Sequence, residues 1–353
     1  MKKAIVLLLF LLLNKTIFAI KLDSFINLSA YIDVFYSYDF GKPSSNQKQL
    51  FLYNYNRHNE FSVNLAFLKL NYEHQGIRGN IALQAGTYGV DNYANEKAVW
   101  RNLLEANIGV ALDKKAKLWL DAGILPSYLG LESAIASEQI NASRSLAAEN
   151  SPYFLSGIYL TFQPNEQWMM RAVVCNGWQR ISRIVGNSLP SFGLQGQYFF
   201  KKFSFNYGNY FGSENPDSSR AMRFFNNAYI QYKNSNYQFA LGIDYGVQHG
   251  VNNNLEWMTC YAMANKKLGA KLQLGSRFEY YNDPSNIIIQ YSNLSPISLY
   301  GLSLNLDYKK SDKMLFRIEI RALNNSTNIF KQADGTVGKQ NISLLTTAIL
   351  KLD

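Results

Sequence analysis

Residues 300–321 read YGLSLNLDYKKSDKMLFRIEIR. In the first half Tyr300, Leu302, Leu304, Leu306 and Tyr308 alternate with Ser303, Asn305 and Asp307. In the second half Met314, Phe316, Ile318 and Ile320 alternate with Arg317, Glu319 and Arg321. A period of two places the apolar side chains on one face of a strand and the polar ones on the other. Only residues 310–312 separate the halves, so the segment predicts a tight antiparallel hairpin. Full charges on one face need water or partners, while the opposite face needs an apolar surrounding.

The same alternation recurs toward both ends. Leu28, Ala30, Ile32, Val34 and Tyr36 oppose Ser29, Tyr31, Asp33, Phe35 and Ser37. Phe61, Val63, Leu65 and Phe67 oppose Ser62, Asn64 and Ala66. Ala270, Leu272, Leu274, Ser276, Phe278 and Tyr280 oppose Lys271, Gln273, Arg277 and Glu279. About 16 such stretches are expected, within a range of about 12–18, most of them near the length of a tilted membrane-crossing strand. Their connections alternate in length. Short ones fall at residues 74–77, 113–115, 164–165, 201, 234–235, 266–267 and 310–312. Long ones fall at 41–59, 90–100, 126–152, 179–189, 212–221, 250–253, 282–296 and 324–339. Short turns on one rim and long loops on the other predict an all-β fold, a transmembrane antiparallel up-and-down β-barrel.

Composition agrees. Tyr and Phe number 24 and 22 while Pro numbers 8, a balance that favours strands and supplies aromatic belts. Tyr36, Tyr38, Tyr210, Phe211, Trp257, Tyr280 and Tyr281 are expected in a belt at the long-loop rim. Tyr72, Phe162, Trp168, Phe199, Phe203, Tyr237 and Tyr308 are expected at the short-turn rim. At the start, Lys2 and Lys3 precede an apolar run over residues 4–13 and a more polar exit ending at Ala19. That order predicts a secretory signal peptide over residues 1–19, leaving residues 20–353 as the barrel. The run is too short for a helical anchor, which needs about 20 residues.

Other chemistries find little support. Three histidines, His58, His74 and His249, fall in loops or turns without the mid-strand partners that a triad needs. Cys175 and Cys260 lie in different predicted strands, and no metal-binding spacing occurs. The formal charge of +10 does not argue for nucleic acid, because Lys201–Lys202, Lys266–Lys267 and Lys309–Lys310 fall at short turns as solvated caps.

Three segments carry a resemblance: residues 29–40 (SAYIDVFYSYDF), 70–89 (LNYEHQGIRGNIALQAGTYG) and 122–134 (AGILPSYLGLESA). With them the chain resembles the OmpL-like β-barrel porin family of Gram-negative outer membranes. The resemblance implies an exported outer-membrane diffusion channel with no enzymatic activity and no cofactor. One departure is the ending Leu350, Lys351, Leu352, Asp353, where barrels commonly carry an aromatic residue.

A barrel of about 16 strands leaves an aqueous channel. The expected function is passive diffusion of small hydrophilic solutes, with outer-membrane lipid around the wall and a homo-oligomer left open. The alternative is a non-conducting barrel, an adhesin or anchor acting through its loops. Residues 126–152 are rich in Ala, Ser, Glu and Leu, which suits short helices. As the third long loop, after the fifth strand, they resemble the loop that enters the lumen of general porins, and by that analogy they are expected to fold inward. Their acidic Glu132, Glu138 and Glu149, against one Arg144, would then face Arg277, Arg317, Glu319 and Arg321 on the late strands. Asp33, Asp121 and Arg171 complete the expected pore lining. An acidic loop across a gap from a basic ladder would set up a transverse field.

Overall fold

The computed structural model describes residues 24–49, 51–250, 253–290 and 296–352. The signal peptide expected over residues 1–19 lies outside the described residues. In chain order the strands are β1 (Ile26–Asp39), β2 (Glu60–His74), β3 (Ile77–Ala85), β4 (Leu103–Ala111), β5 (Leu118–Pro126) and β6 (Phe154–Phe162). They continue with β7 (Trp168–Cys175), β8 (Ser191–Phe200), β9 (Phe203–Ser213), β10 (Met222–Lys233), β11 (Tyr237–His249) and β12 (Asn254–Lys267). The last are β13 (Leu272–Asp283), β14 (Ile297–Lys309), β15 (Met314–Asn325), β16 (Phe330–Lys331), β17 (Val337–Gly338) and β18 (Gln340–Leu352). All but β16 and β17 form one closed barrel of 16 strands, in which β1 pairs with β2 on one side and β18 on the other. β16 and β17 make a small ribbon inside the last long connection.

Closure removes every sheet edge, so each strand finds its hydrogen-bond partners within the wall. The short turns have matching chemistry. Gln75 and Gly76 join β2 to β3 with φ of 50° and 74°, the paired positive angles of a two-residue hairpin turn. Between β14 and β15 the deciding hairpin forms as expected, with Leu304 opposite Ile320 and Asp307 opposite Arg317. Its apolar residues Leu302, Leu304, Leu306, Ile318 and Ile320 face outward and are 41–55 % exposed. Ser303, Asn305, Asp307, Arg317, Glu319 and Arg321 face inward and are 1–4 % exposed. An apolar wall of this extent is unlike the surface of a soluble monomer, which rarely exposes more than a few hundred Å² of contiguous apolar area.

Two expectations need correction. The alternation through β2 is broken: the register with β1 shifts between Asp33 and Val34, where a bulge leaves Asn64 as the extra residue. Phe61 and Val63 point outward, Leu65 points inward and is buried, and Ala66 and Leu68 resume the outward face. One extra residue inverts every side chain after it. The long-loop belt is also smaller than expected. Tyr36, Tyr38, Phe211 and Tyr280 face outward, but Tyr210, Trp257 and Tyr281 face inward and are buried. Neighbouring residues of a strand cannot share a face.

Inside, the long-loop end of the barrel is filled. Phe51, Ile287, Ile289, Ile329 and Phe330 from the loops pack on Tyr210, Phe225, Trp257, Tyr281, Leu299 and Leu323 from the strands. A second cluster joins Tyr31, Phe35 and Leu65 to Tyr55, Tyr88, Tyr93, Tyr153 and the alanines of residues 134–148.

Candidate functional site: a lumen crossed by an inserted loop

β5 ends at Pro126, and the chain then turns into the barrel, as expected for residues 126–152. Its helical content is limited to a 3-10 turn at Ala136–Glu138 and one α-helical turn at Leu146–Glu149. Near the entry Tyr128 lies against the wall of β6, β8 and β9, and its hydroxyl donates to the Asn209 carbonyl at 2.6 Å. It passes so close to Gly193 that a Cβ there would lie 1.7 Å from the Tyr128 hydroxyl oxygen. Gln195 donates to the Tyr128 carbonyl at 2.9 Å, and the Gly130 amide donates to Asn227 at 3.1 Å.

The segment from Ala136 to Leu146 is held by the late strands through its own backbone. Arg317 donates to the carbonyls of Ala136, Gln139, Ile140 and Asn141 at 2.8–3.2 Å. Glu319 accepts the amides of Ala142 and Ser143 at 3.0 and 3.1 Å, and the Ser143 hydroxyl. Arg277 donates to the Ser143 carbonyl at 2.7 Å, and Glu279 accepts the Leu146 amide at 2.7 Å. Asn141 donates to Asn305 at 2.8 Å. A loop inserted without regular structure must find partners for its peptide groups, and this wall supplies them.

The wall is balanced in charge. Arg317 pairs with Asp307 at 2.8 Å, Arg321 with Glu279 at 2.7 Å, and Arg277 with Glu279 at 3.2 Å and Glu319 at 3.9 Å. Among the described residues Glu132, Glu138 and Glu149 of the loop make no salt bridge with this ladder, whose arginines pair within the wall. Glu132 accepts from the Ser145 amide at 3.0 Å and from its hydroxyl, and Glu138 accepts from Ser133 at 3.3 Å. Glu149 turns to the first loop, where it accepts the amides of Tyr53 and Asn54 at 2.9 and 3.2 Å. Burial pushes the Glu149 carboxyl up to about 7, against the pull of those amides and of Arg321 and Arg144. Arg144 is buried and spends its donors on the carbonyls of Ser133, Ala134 and Ala142. The expected transverse field therefore lacks its geometry. Buried charges neutralise one another at contact distance, because isolated ions cost far more there.

The opposite wall keeps more open polar groups. Lys69 meets Glu105 at 2.8 Å, and Arg78 meets Asp121 at 2.6 Å. Arg171 reaches Thr161 and Gln195 at 3.1 and 3.2 Å and covers the Tyr159 ring. A chain of amides continues around it: Asn80 to Asn107, then Gln195 to Asn206, Asn206 to Asn227 and Asn227 to Asp244. Asp33 sits apart, buried on β1, accepting from Tyr55 at 2.7 Å and Asn64 at 3.3 Å. The amide chain was absent from the expected lining. Its signal was the in-phase recurrence of Asn and Gln on inward positions.

Two vestibules flank the insertion. One of about 370 Å³ opens at the long-loop end and includes Glu149, Trp178, Arg180, Glu214, Arg223 and Gln248 in its lining. The other, about 470 Å³, opens at the short-turn end, with loop residues Ser137, Glu138 and Gln139 as its floor. Among the described residues no cluster of three or more His, Cys, Asp or Glu side chains is placed to hold a metal ion.

Solved structures of outer-membrane proteins share this architecture at very low identity. An anion-selective porin from Comamonas acidovorans is 8 % identical with a TM-score of 0.62, over 93 % of this chain and 99 % of that one. The outer membrane channel DcaP of Acinetobacter baumannii is 9 % identical with a TM-score of 0.62, over 93 % and 97 %. The trimer form of OmpT, an outer membrane protein of Vibrio cholerae, is 9 % identical with a TM-score of 0.59, over 93 % and 99 %. No curated protein gives a significant match in sequence. Residues 25–352 match the model of the family described as "Putative beta-barrel porin-2, OmpL-like", so the chain belongs to that family of outer-membrane porins.

Proposed function

We propose that this outer-membrane porin passes small hydrophilic solutes by passive diffusion, with the inserted loop as the element that sets the size of the passage. The observation that carries the reading is the placement of two polar vestibules on either side of one loop. Strand residues anchor that loop through its peptide groups, and its buried Leu129, Ile140, Leu146 and alanines pack against the strands as well. A channel rather than an enzyme is what the family and the fold indicate. Asp121 and Arg171 then act as lining, Asp33 holds the first loop through Tyr55, and the ladder residues anchor the inserted loop. Lipid around the outer wall and further copies of the chain complete the set of partners, and the mass of the detergent-extracted native complex tests the latter.

The filled long-loop end favours a second reading, a closed barrel serving as an anchor. Planar-bilayer recordings separate the two. The wild type should conduct, and a variant lacking residues 131–148 should conduct more and admit larger sugars in liposome swelling. Silence from both proteins would leave the anchor reading standing.

A further inference from the structure

We propose that the vestibule at the short-turn end is a binding site for small multivalent anions, of the phosphate or polycarboxylate class. Strand parity carries the argument. Inward positions on β10, β12, β14 and β18 are odd-numbered, as Asn227, Asn265, Asp307 and Thr347 show by their burial. At the short-turn ends of these strands the inward odd positions are Lys233, Lys267, Lys309 and Lys351. Each of the four lines the vestibule, together with Lys313 from the turn before β15. In the pairs Lys266–Lys267 and Lys309–Lys310, the odd-numbered lysine points into the mouth and lines it. The pairs are therefore only in part the solvated caps that the sequence suggested.

The charge balance supports an anionic occupant. Besides these five lysines the lining includes Arg317, against Glu138, Asp307 and Asp312. Asp307 is taken by Arg317, and Asp312 by Lys309 at 2.8 Å. Among the described residues Lys233, Lys267, Lys313 and Lys351 have no carboxylate partner within 4.0 Å. Four lysines without a carboxylate partner thus line a concavity of about 470 Å³ whose floor is the inserted loop. Lysine is a compact, flexible point charge, suited to phosphate and carboxylate oxygens without demanding one geometry. Asn234, Gln238, Asn265 and Gln273 add neutral donors and acceptors for hydroxyl groups on the same ligand. Low-dielectric walls around such a concavity concentrate its field.

The site deepens the channel reading by naming a solute class, but binding is read without current, so the two can fail separately. Titration calorimetry on the full barrel in zwitterionic detergent should show saturable binding of citrate and inorganic phosphate and none of glucose. Affinity should fall as salt rises. Lys267→Gln with Lys351→Gln should weaken citrate binding about tenfold or more, while Lys114→Gln with Lys115→Gln, in a turn that does not line the vestibule, should leave it unchanged. Lys313→Gln alone, in a turn, gives a second and gentler variant, with a smaller loss expected. Repeating the titration in nanodiscs with and without phosphatidylglycerol identifies the source of the anion: competition points to a lipid headgroup, and none to a dissolved solute. No binding, or equal binding by all variants, overturns the site.

Discussion

Asp307 on β14 and Arg317 on β15 are register partners, joined by two hydrogen bonds, Nε to Oδ1 at 2.9 Å and Nη2 to Oδ2 at 2.8 Å. The same guanidinium holds four carbonyls of the inserted loop, so one side chain links the wall's charge balance to the position of the loop. Removing it strands a buried carboxylate and frees the loop together. Arg317→Ala should cost about 3–5 kcal/mol, the usual penalty for breaking a buried pair from one side. Asp307→Ala with Arg317→Ala should cost less than Arg317→Ala alone. Urea unfolding in lipid vesicles measures both, and an unchanged midpoint for Arg317→Ala would show that the pair holds nothing.

The outer wall gives a sharper test of face assignment. Leu304 points outward at mid-strand, so Leu304→Arg should destabilise the barrel by about 2–4 kcal/mol if it lies near the membrane midplane. Its neighbour Asn305 faces inward but is not a neutral control, since it accepts from Asn141 and donates to Asp307 at 2.8 Å. Gln231, inward and half-buried on β10, is the better comparison. Gln231→Arg should stay within about 0.5 kcal/mol of the wild type. Equal costs for Leu304→Arg and Gln231→Arg would contradict the orientation of one of the two strands.

Gly193 leaves the space that Tyr128 occupies against β8 and β9. A methyl group there would collide with the Tyr128 hydroxyl and with the Asn209 carbonyl, 2.5 Å away. Gly193→Ala should therefore expel Tyr128 and unseat the entry of the loop, at a cost of about 1–3 kcal/mol. Tyr128→Phe removes only the hydrogen bond and should cost about 0.5–1.5 kcal/mol. Recordings in bilayers should show the first variant to be noisier than the second, and identical traces would mean that the entry segment does not limit the passage.

The strands were legible because alternation is a local signal: β14 and β18 occupy the expected residues 297–309 and 340–352. The bulge at Asn64 was not, since one added residue leaves the local pattern intact and changes only its phase. Nor could adjacent aromatics such as Tyr210 and Phe211 be sorted without the register of β9 on β10. Insertion of residues 126–152 was expected by analogy with the inward loop of general porins, from their length and their place after the fifth strand, but their anchoring was not. Glu279 and Glu319 hold peptide amides, and a peptide amide is present at nearly every residue, so no sequence pattern marks which ones are held. The inward lysines were visible all along in their odd numbering, once the face of each strand was known.

Acidity should tighten the closure between the inserted loop and the first loop. Glu149 is buried beneath Tyr53 and Asn54, and burial pushes its carboxyl up to about 7 from the ordinary glutamate value of 4.5. An acid whose value is raised in the docked state contributes docking stability in full below its free value, and loses it as pH rises through the docked one. The window is thus about 4.5 to 7, with the clasp strongest at the acid end. His58, in the first loop, works the other way, because burial lowers its value and favours docking as pH rises. Lys48, pushed down to about 8 by burial, titrates above the window. If Glu149 dominates, conductance should rise between pH 5 and pH 7.5, and Glu149→Gln should remove that rise. With the carboxylate gone, the His58 contribution still runs the opposite way, so it cannot restore the rise. A wild type whose conductance falls with pH, or a Glu149→Gln variant that keeps the rise, would show that this carboxylate does not hold the two loops together.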